Sequence, residues 1–152
     1  MSVTIDFAGL LSWLGPLVGG AAVIYILFAG MRRLRGFFAR RKFDSRDRSE
    51  LQRRWREVEA MLAMPGEMSR KMAILEADKL LDQALKSLSM PGQTLGERLK
   101  FAQYKHPELR DVWWAHRVRN QLAHEASGHL DASVAKRAVA SFRKALERLG
   151  AI

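Results

Sequence analysis

Pro65 to Gly92 reads PGEMSRKMAILEADKLLDQALKSLSMPG, an apolar-periodic run closed at each end by a Pro-Gly pair. Proline removes a backbone donor and glycine admits turn conformations, so each pair marks a break in regular structure. Between them Ile74, Ala77, Leu81, Ala84, Leu85 and Leu88 recur at the three-to-four-residue spacing of one buried helix face. The stretch predicts a helix from about Glu67 to Ser89. Working outward, a helix-forming segment from Ser45 to Ala63 precedes the first Pro-Gly pair. After the second, Thr94-x-x-Glu97 has the form of a capping box opening a short helix to about Tyr104. Pro107 suits the first turn of a third long helix reaching about Ala126, which Ser127-Gly128 ends. Asp131 is placed to cap a last helix through Leu149, with Gly150 just past its end. No segment after Lys42 alternates with period two, and β-branched residues are sparse. The expectation is an all-α protein whose residues 46–150 form an up-down four-helix bundle.

The N-terminal part has a different chemistry. Phe7 to Met31, FAGLLSWLGPLVGGAAVIYILFAGM, is 25 residues without an ionisable acid or base. As a helix it reaches roughly 37 Å, enough to cross a hydrocarbon core of about 30 Å. Residues 1–31 are therefore read as a single transmembrane anchor. A basic segment, residues 32–45, follows it with Arg32, Arg33, Arg35, Arg40, Arg41 and Lys42. Cytoplasmic flanks collect Lys and Arg, so the N-terminus is expected outside and the bundle in the cytoplasm. No positive residue precedes the apolar run, which argues against a secretory signal. Gly15-Pro16 offers a kink, Gly15-x-x-x-Gly19 a close-approach spacing, and Trp13 and Tyr25 face opposite headgroup layers. Phe37 and Phe38 within the basic run fit a continuation along the inner leaflet, or only the stop-transfer charge and its linker.

Composition takes its meaning from this division. The 152 residues carry 26 Lys+Arg against 16 Asp+Glu, a net charge of +10. Counted along the chain, residues 1–31 hold −1, residues 32–58 hold +7 and residues 59–152 hold +4. Most of the excess lies beside the anchor, where anionic lipid accounts for it. The +4 of the remainder makes no case for nucleic acid by itself. The length excludes a multidomain enzyme, and the absence of cysteine excludes a disulfide scaffold, a thiolate metal site and a cysteine nucleophile.

Candidate chemistry concentrates in Pro107 to Ala126, PELRDVWWAHRVRNQLAHEA. At about 100° per residue, His116 and Asn120 fall within roughly 20° of Leu109, flanked by Val112, Trp113, Ala123 and His124. Polar groups in the middle of an apolar face must be hydrogen-bonded if buried, so they form either a structural network or a site. Trp114, Val118 and Leu122 make a second stripe, as expected of a helix central in its bundle or packed on a second subunit. Arg119 has two reasonable carboxylate partners, Asp78 and Asp82, one turn apart on the preceding long helix. Such a network would fix helix register without catalysis.

The string His116-Arg117-Val118-Arg119-Asn120-Gln121-Leu122-Ala123-His124-Glu125 resembles the RNxxAH variant of the Arg-x4-6-His motif of the HEPN superfamily. These are small helical bundles that include many prokaryotic ribonucleases. The resemblance covers about Arg46 to Gly150 and leaves out the anchor. Arg110–His116 and Arg117–His124 satisfy the bare spacing as well; Asn120 and the helical context favour Arg119. The resemblance implies metal-independent RNA cleavage by attack of the ribose 2′-OH on the adjacent phosphodiester. His124 would act as general acid or base, Arg119 would stabilise phosphoryl charge, and Asn120 would orient either partner. It also implies a homodimer, in which two copies bring their motifs together, and RNA as a partner. HEPN-like proteins that only bind nucleotides, RNA or proteins leave open an adaptor that recruits a protein partner to the membrane.

Other chemistries find little footing. His116 and His124 are two turns apart, too far for one ion, and neither His106 nor His129 completes a ligand set. The chain has neither GxxxxGK[ST] nor GxGxxG. No metal and no cofactor are expected. The methionines at 61, 64, 68, 72 and 90 read as core filler, and Trp55, Trp113 and Trp114 as packing rather than base-stacking residues.

Overall fold

A computed structural model describes residues 20, 22–26, 28–30, 43–124 and 129–152. The chain divides into two compact units, Met1–Arg41 and Lys42–Ile152. In the first unit every described residue is helical. Val23, Ile24, Tyr25, Ile26 and Phe28 there are 57–71% exposed. Among the described residues no helix is long and apolar enough to cross a membrane. Most of the expected anchor over residues 7–31 lies outside the described residues. So do Trp13, Gly15, Pro16 and Gly19, the whole run Arg32–Lys42 with Phe37 and Phe38, and Ala126 to Gly128.

The second unit is all-helical among its described residues. It comprises α1 (Ser45–Ala63), α2 (Glu67–Ser87), α3 (Leu95–Lys105), a 3-10 turn (Pro107–Asp111), α4 (Val112–His124) and α5 (Ala132–Leu149). Its boundaries follow local chemistry. Asp44 caps α1 by accepting from the Ser45 N–H at 2.6 Å. Gly66, at φ +106°, supplies the turn into α2 that other residues adopt only with strain. Thr94 accepts from the Glu97 N–H at 3.2 Å, while the Glu97 carboxylate reaches back to the Gln93 N–H at 2.6 Å. The capping box is thus present, displaced by one residue on its return arm. Asp131 caps α5 through the Ser133 N–H. Gly150, at φ +73°, ends it with Ala151 N–H donating to the Leu146 carbonyl at 2.9 Å.

One segment departs from expectation. The continuous helix predicted from Pro107 is instead a tight 3-10 turn that passes into α-helix only at Val112. The Leu109 N–H bonds the His106 carbonyl three residues back, and Pro107 has no N–H to offer.

The core is organised around α2, which packs against α1, α3, α4 and α5. Its buried residues Ala73, Ile74, Ala77, Asp78, Leu80, Leu81, Ala84 and Leu85 cover an arc of roughly 160°. The sequence offers the segment after Pro107 as either the central helix or one packed on a second subunit; the centre of the bundle is α2 instead. The double stripe of α4 has a different origin: Trp113 meets α3 at Gly96, whereas Trp114 lies beneath Arg137 of α5. Both sides of α4 thus meet other helices of the same chain, while Trp113, Trp114, Val118 and Leu122 remain half-buried. From the other helices, Leu51 and Val58 of α1, Leu99 of α3, Val112 of α4 and Phe142 and Leu146 of α5 are all buried. Full burial of each such side chain stabilises by about 1.5–3 kcal/mol.

Candidate functional site

Only two charged residues are buried among those described, Asp78 and Arg98. Each forms the centre of a polar cluster on α2 or against it. Asp78 lies on the buried face of α2, a turn from Ile74 and beside Leu81. A carboxylate there is tolerable only if it is paired and its lone pairs are used. The partners come from one turn of α4, where positions 116, 119 and 120 share a face. His116 Nδ1 lies 2.7 Å from Asp78 Oδ1, and Arg119 Nε approaches Asp78 Oδ2 at 3.2 Å. Asn120 Nδ2 lies 3.2 Å from His116 Nε2, and Arg119 donates from a terminal nitrogen to Asn120 Oδ1 at 3.0 Å. Four side chains thereby close a ring.

Donor and acceptor types fix its bonding. Ionised Asp78 only accepts, so His116 Nδ1 carries the proton between them. Arginine only donates, so Asn120 turns its oxygen to Arg119 and its amide N–H to His116 Nε2. The Arg119 Nε contact to Asp78 is an ion pair outside hydrogen-bond geometry, leaving that buried nitrogen without a bonded acceptor. Trp113 braces the imidazole edge-on with ring centres 6.1 Å apart. Gly96 of α3 brings its backbone close to both rings; a Cβ there would sit 3.6 Å from the Trp113 ring and 3.9 Å from His116 Nε2.

Exposure rises across the ring, from 7% at the Asp78 side chain and 12% at His116 to 31% at Arg119. The Arg119 end is the face open to solvent, and its terminal N–H groups not committed to Asn120 can address an anion there. His124 is elsewhere. It is the last residue of α4, exposed, with no side-chain hydrogen bond to a described residue. Of the three residues singled out from the motif, Arg119 and Asn120 enter the ring, and the histidine there, bonded to Asn120, is His116.

Asp82 does not serve Arg119. It accepts from Arg98 of α3 at 2.7 Å and from Lys86 at 2.6 Å, while Arg98 also donates to the Gln93 carbonyl at 3.3 Å. One turn of α2 is enough to aim the two carboxylates at different neighbours, Asp78 at α4 and Asp82 at α3. Sequence reasoning missed this clamp. Its signal was available, because Leu95, Arg98, Leu99 and Ala102 have the spacing of a single buried face with a cation in it.

A third group was also missed. Glu67, in the first turn of α2, accepts from Lys71 at 2.7 Å, His129 Nδ1 at 2.9 Å and the Leu130 N–H at 3.2 Å. These bonds, that from Lys71 foremost, hold its carboxyl down to about 2. Glu67 thus ties the start of α2 to the segment entering α5. No sequence period announces a pairing 62 residues apart.

Among the described residues no group of three His, Cys, Asp or Glu side chains is gathered as metal ligands. Among the described residues of the second unit, the fold and the ring together define a class, an all-helical bundle with a half-buried Asp–His–Asn–Arg circuit anchored on buried Asp78 and opening to solvent at its arginine. Compared with protein-family models, curated proteins and solved structures, the chain finds no match.

Proposed function

We propose that this protein is a single-pass membrane-anchored module whose cytoplasmic helical bundle, HEPN-like in its Arg119-Asn120…His124 motif, binds RNA or assembles with a partner rather than cutting RNA as a single copy. The observation that carries this reading is the closed ring: inside one chain Asn120 is bonded to both His116 and Arg119, and Arg119 is ion-paired with Asp78. Groups so engaged fix helix register, and only the outward donors of Arg119 remain for an anion. The anchor rests on the 25-residue uncharged run and the basic flank. The exposure of five large apolar side chains between Val23 and Phe28 supports it.

A second reading is favoured by one feature. His124 is exposed on the same helix as the half-open Arg119, so a second copy facing this one would bring an imidazole toward that guanidinium. In such a pair His124 would move the proton of the ribose 2′-OH while Arg119 met the phosphoryl oxygens.

Incubation of the protein with RNA in EDTA, beside His124→Ala and Arg119→Ala, separates the two. Binding without cleavage, weakened by Arg119→Ala and indifferent to His124→Ala, is the expected outcome. Cleavage lost by about 100-fold or more in His124→Ala would transfer the case to the ribonuclease reading. Reporter fusions at each terminus check the anchor, and an exported C-terminus would refute the orientation.

A further inference from the structure

The 3-10 turn and α5 enclose an open cleft of about 630 Å³ away from the Asp78 ring. Arg137, Lys144 and Arg148 line its α5 wall. At positions i, i+7 and i+11 they fall within roughly 40° of one another around the helix. The opposite wall is mixed, with Arg110 beside Glu108 and Asp111.

These four cations share one cleft, and none of them is neutralised by a paired carboxylate as several others on the bundle are. Arg53 is held by Glu50 and Glu57, Arg54 by Glu76, and Arg143 by Glu59 and Glu147. Arg110, Arg137, Lys144 and Arg148 form no ion pair with any described residue. A backbone N–H foremost, then His106, holds the Glu108 carboxyl low, and Arg148 adds to this only at longer range. Arg137 is further ordered by lying over the Trp114 ring, 4.3 Å from its centre. A stacked guanidinium loses less freedom when an anion arrives.

From this placement we infer that the cleft is a binding site for a compact oligophosphate, its phosphates along the α5 wall. The volume is that of a small-ligand site, within the usual range of about 300–1,000 Å³. Glu108 and Asp111 decide against a continuous polyanion, since a strand threading the cleft would run its phosphates past two carboxylates. A compact ligand addresses the cationic wall alone and leaves the carboxylates to accept from its hydroxyl or amino groups. A planar lipid surface does not enter a concave site. The inference is independent of the roles proposed for Arg119, Asn120 and His124.

Titration calorimetry on the full chain in non-ionic detergent, with tripolyphosphate and orthophosphate as probes, tests it. Saturable one-to-one binding is expected, tighter for tripolyphosphate. Each cation removed should weaken it about fivefold, so Lys144→Gln with Arg148→Gln loses about 25-fold. These side chains are exposed and unpaired, so helix content by circular dichroism should stay unchanged. Arg53→Gln, a cation outside the cleft, should bind as the parent does. No saturable binding, or an equal loss in Arg53→Gln, overturns the site. Single-stranded RNA or phosphatidylserine vesicles bound through Lys144 and Arg148, and not displaced by tripolyphosphate, would overturn the compact ligand in favour of an extended polyanion.

Discussion

Asp78 and Asp82 are the same residue type, one turn apart on one helix, and the bundle uses them in opposite ways. Asp78 is 7% exposed and is answered by a ring of three side chains from α4. Asp82 is 22% exposed and shares its charge between buried Arg98 and solvent-facing Lys86. Water can replace part of what Asp82 receives, but it cannot reach Asp78 in the same way. The difference teaches that depth, rather than the number of partners, sets what a carboxylate contributes.

The widest break in that comparison is Asp78→Ala. It leaves His116 and Arg119 beside a void on the core face, and a loss of about 3–5 kcal/mol in urea unfolding is expected. Asp82→Asn keeps the shape and leaves Arg98 its bond to the Gln93 carbonyl, so about 1.5–3 kcal/mol is expected. Equal losses for the two would show that depth is not the deciding variable.

Glu67 extends the comparison to a more exposed acid of the same helix. Its folded carboxyl lies at about 2, below the ordinary 4.5. A depressed folded value contributes stability that is present above 4.5 and fades as pH falls toward 2. Glu67→Gln should therefore remove part of the acid sensitivity in that window and change neutral-pH stability least of the three. Circular dichroism followed through an acid titration reads this directly. An unchanged acid limb in the variant would mean that the tie to His129 and Leu130 contributes nothing to folding.

Much of the fold could be read from punctuation. Pro65-Gly66, Pro91-Gly92, Thr94, Asp131 and Gly150 bound helices because each acts on the backbone next to it, and α1 begins and ends where the sequence places it. Asp78 as a partner of Arg119 was legible too, as a charge interrupting an apolar face. What escaped is what depends on direction around a helix or on distant pairing. Arg119 and His124, five residues apart, differ by roughly 140° on a regular helix, so a motif spacing does not put them on one face. His116, at i−3 and i−4 from Arg119 and Asn120, does share their face and takes the bond. The tight turn after Pro107 was equally hidden, because proline marks the start of a helix without fixing its pitch. With that turn went the cleft against α5, whose walls come from separate stretches of chain.

The ring also has an orientation. Its links run one way, from a residue that can only give hydrogen bonds, through an amide and an imidazole that each give and take, to a carboxylate that can only receive. No rotation of the Asn120 amide reverses that order without setting two donors against each other. The sole giver stands at the solvent and the sole receiver in the core, so α4 and α2 fit together in one sense only. The polar side chains work as a key as well as a clasp.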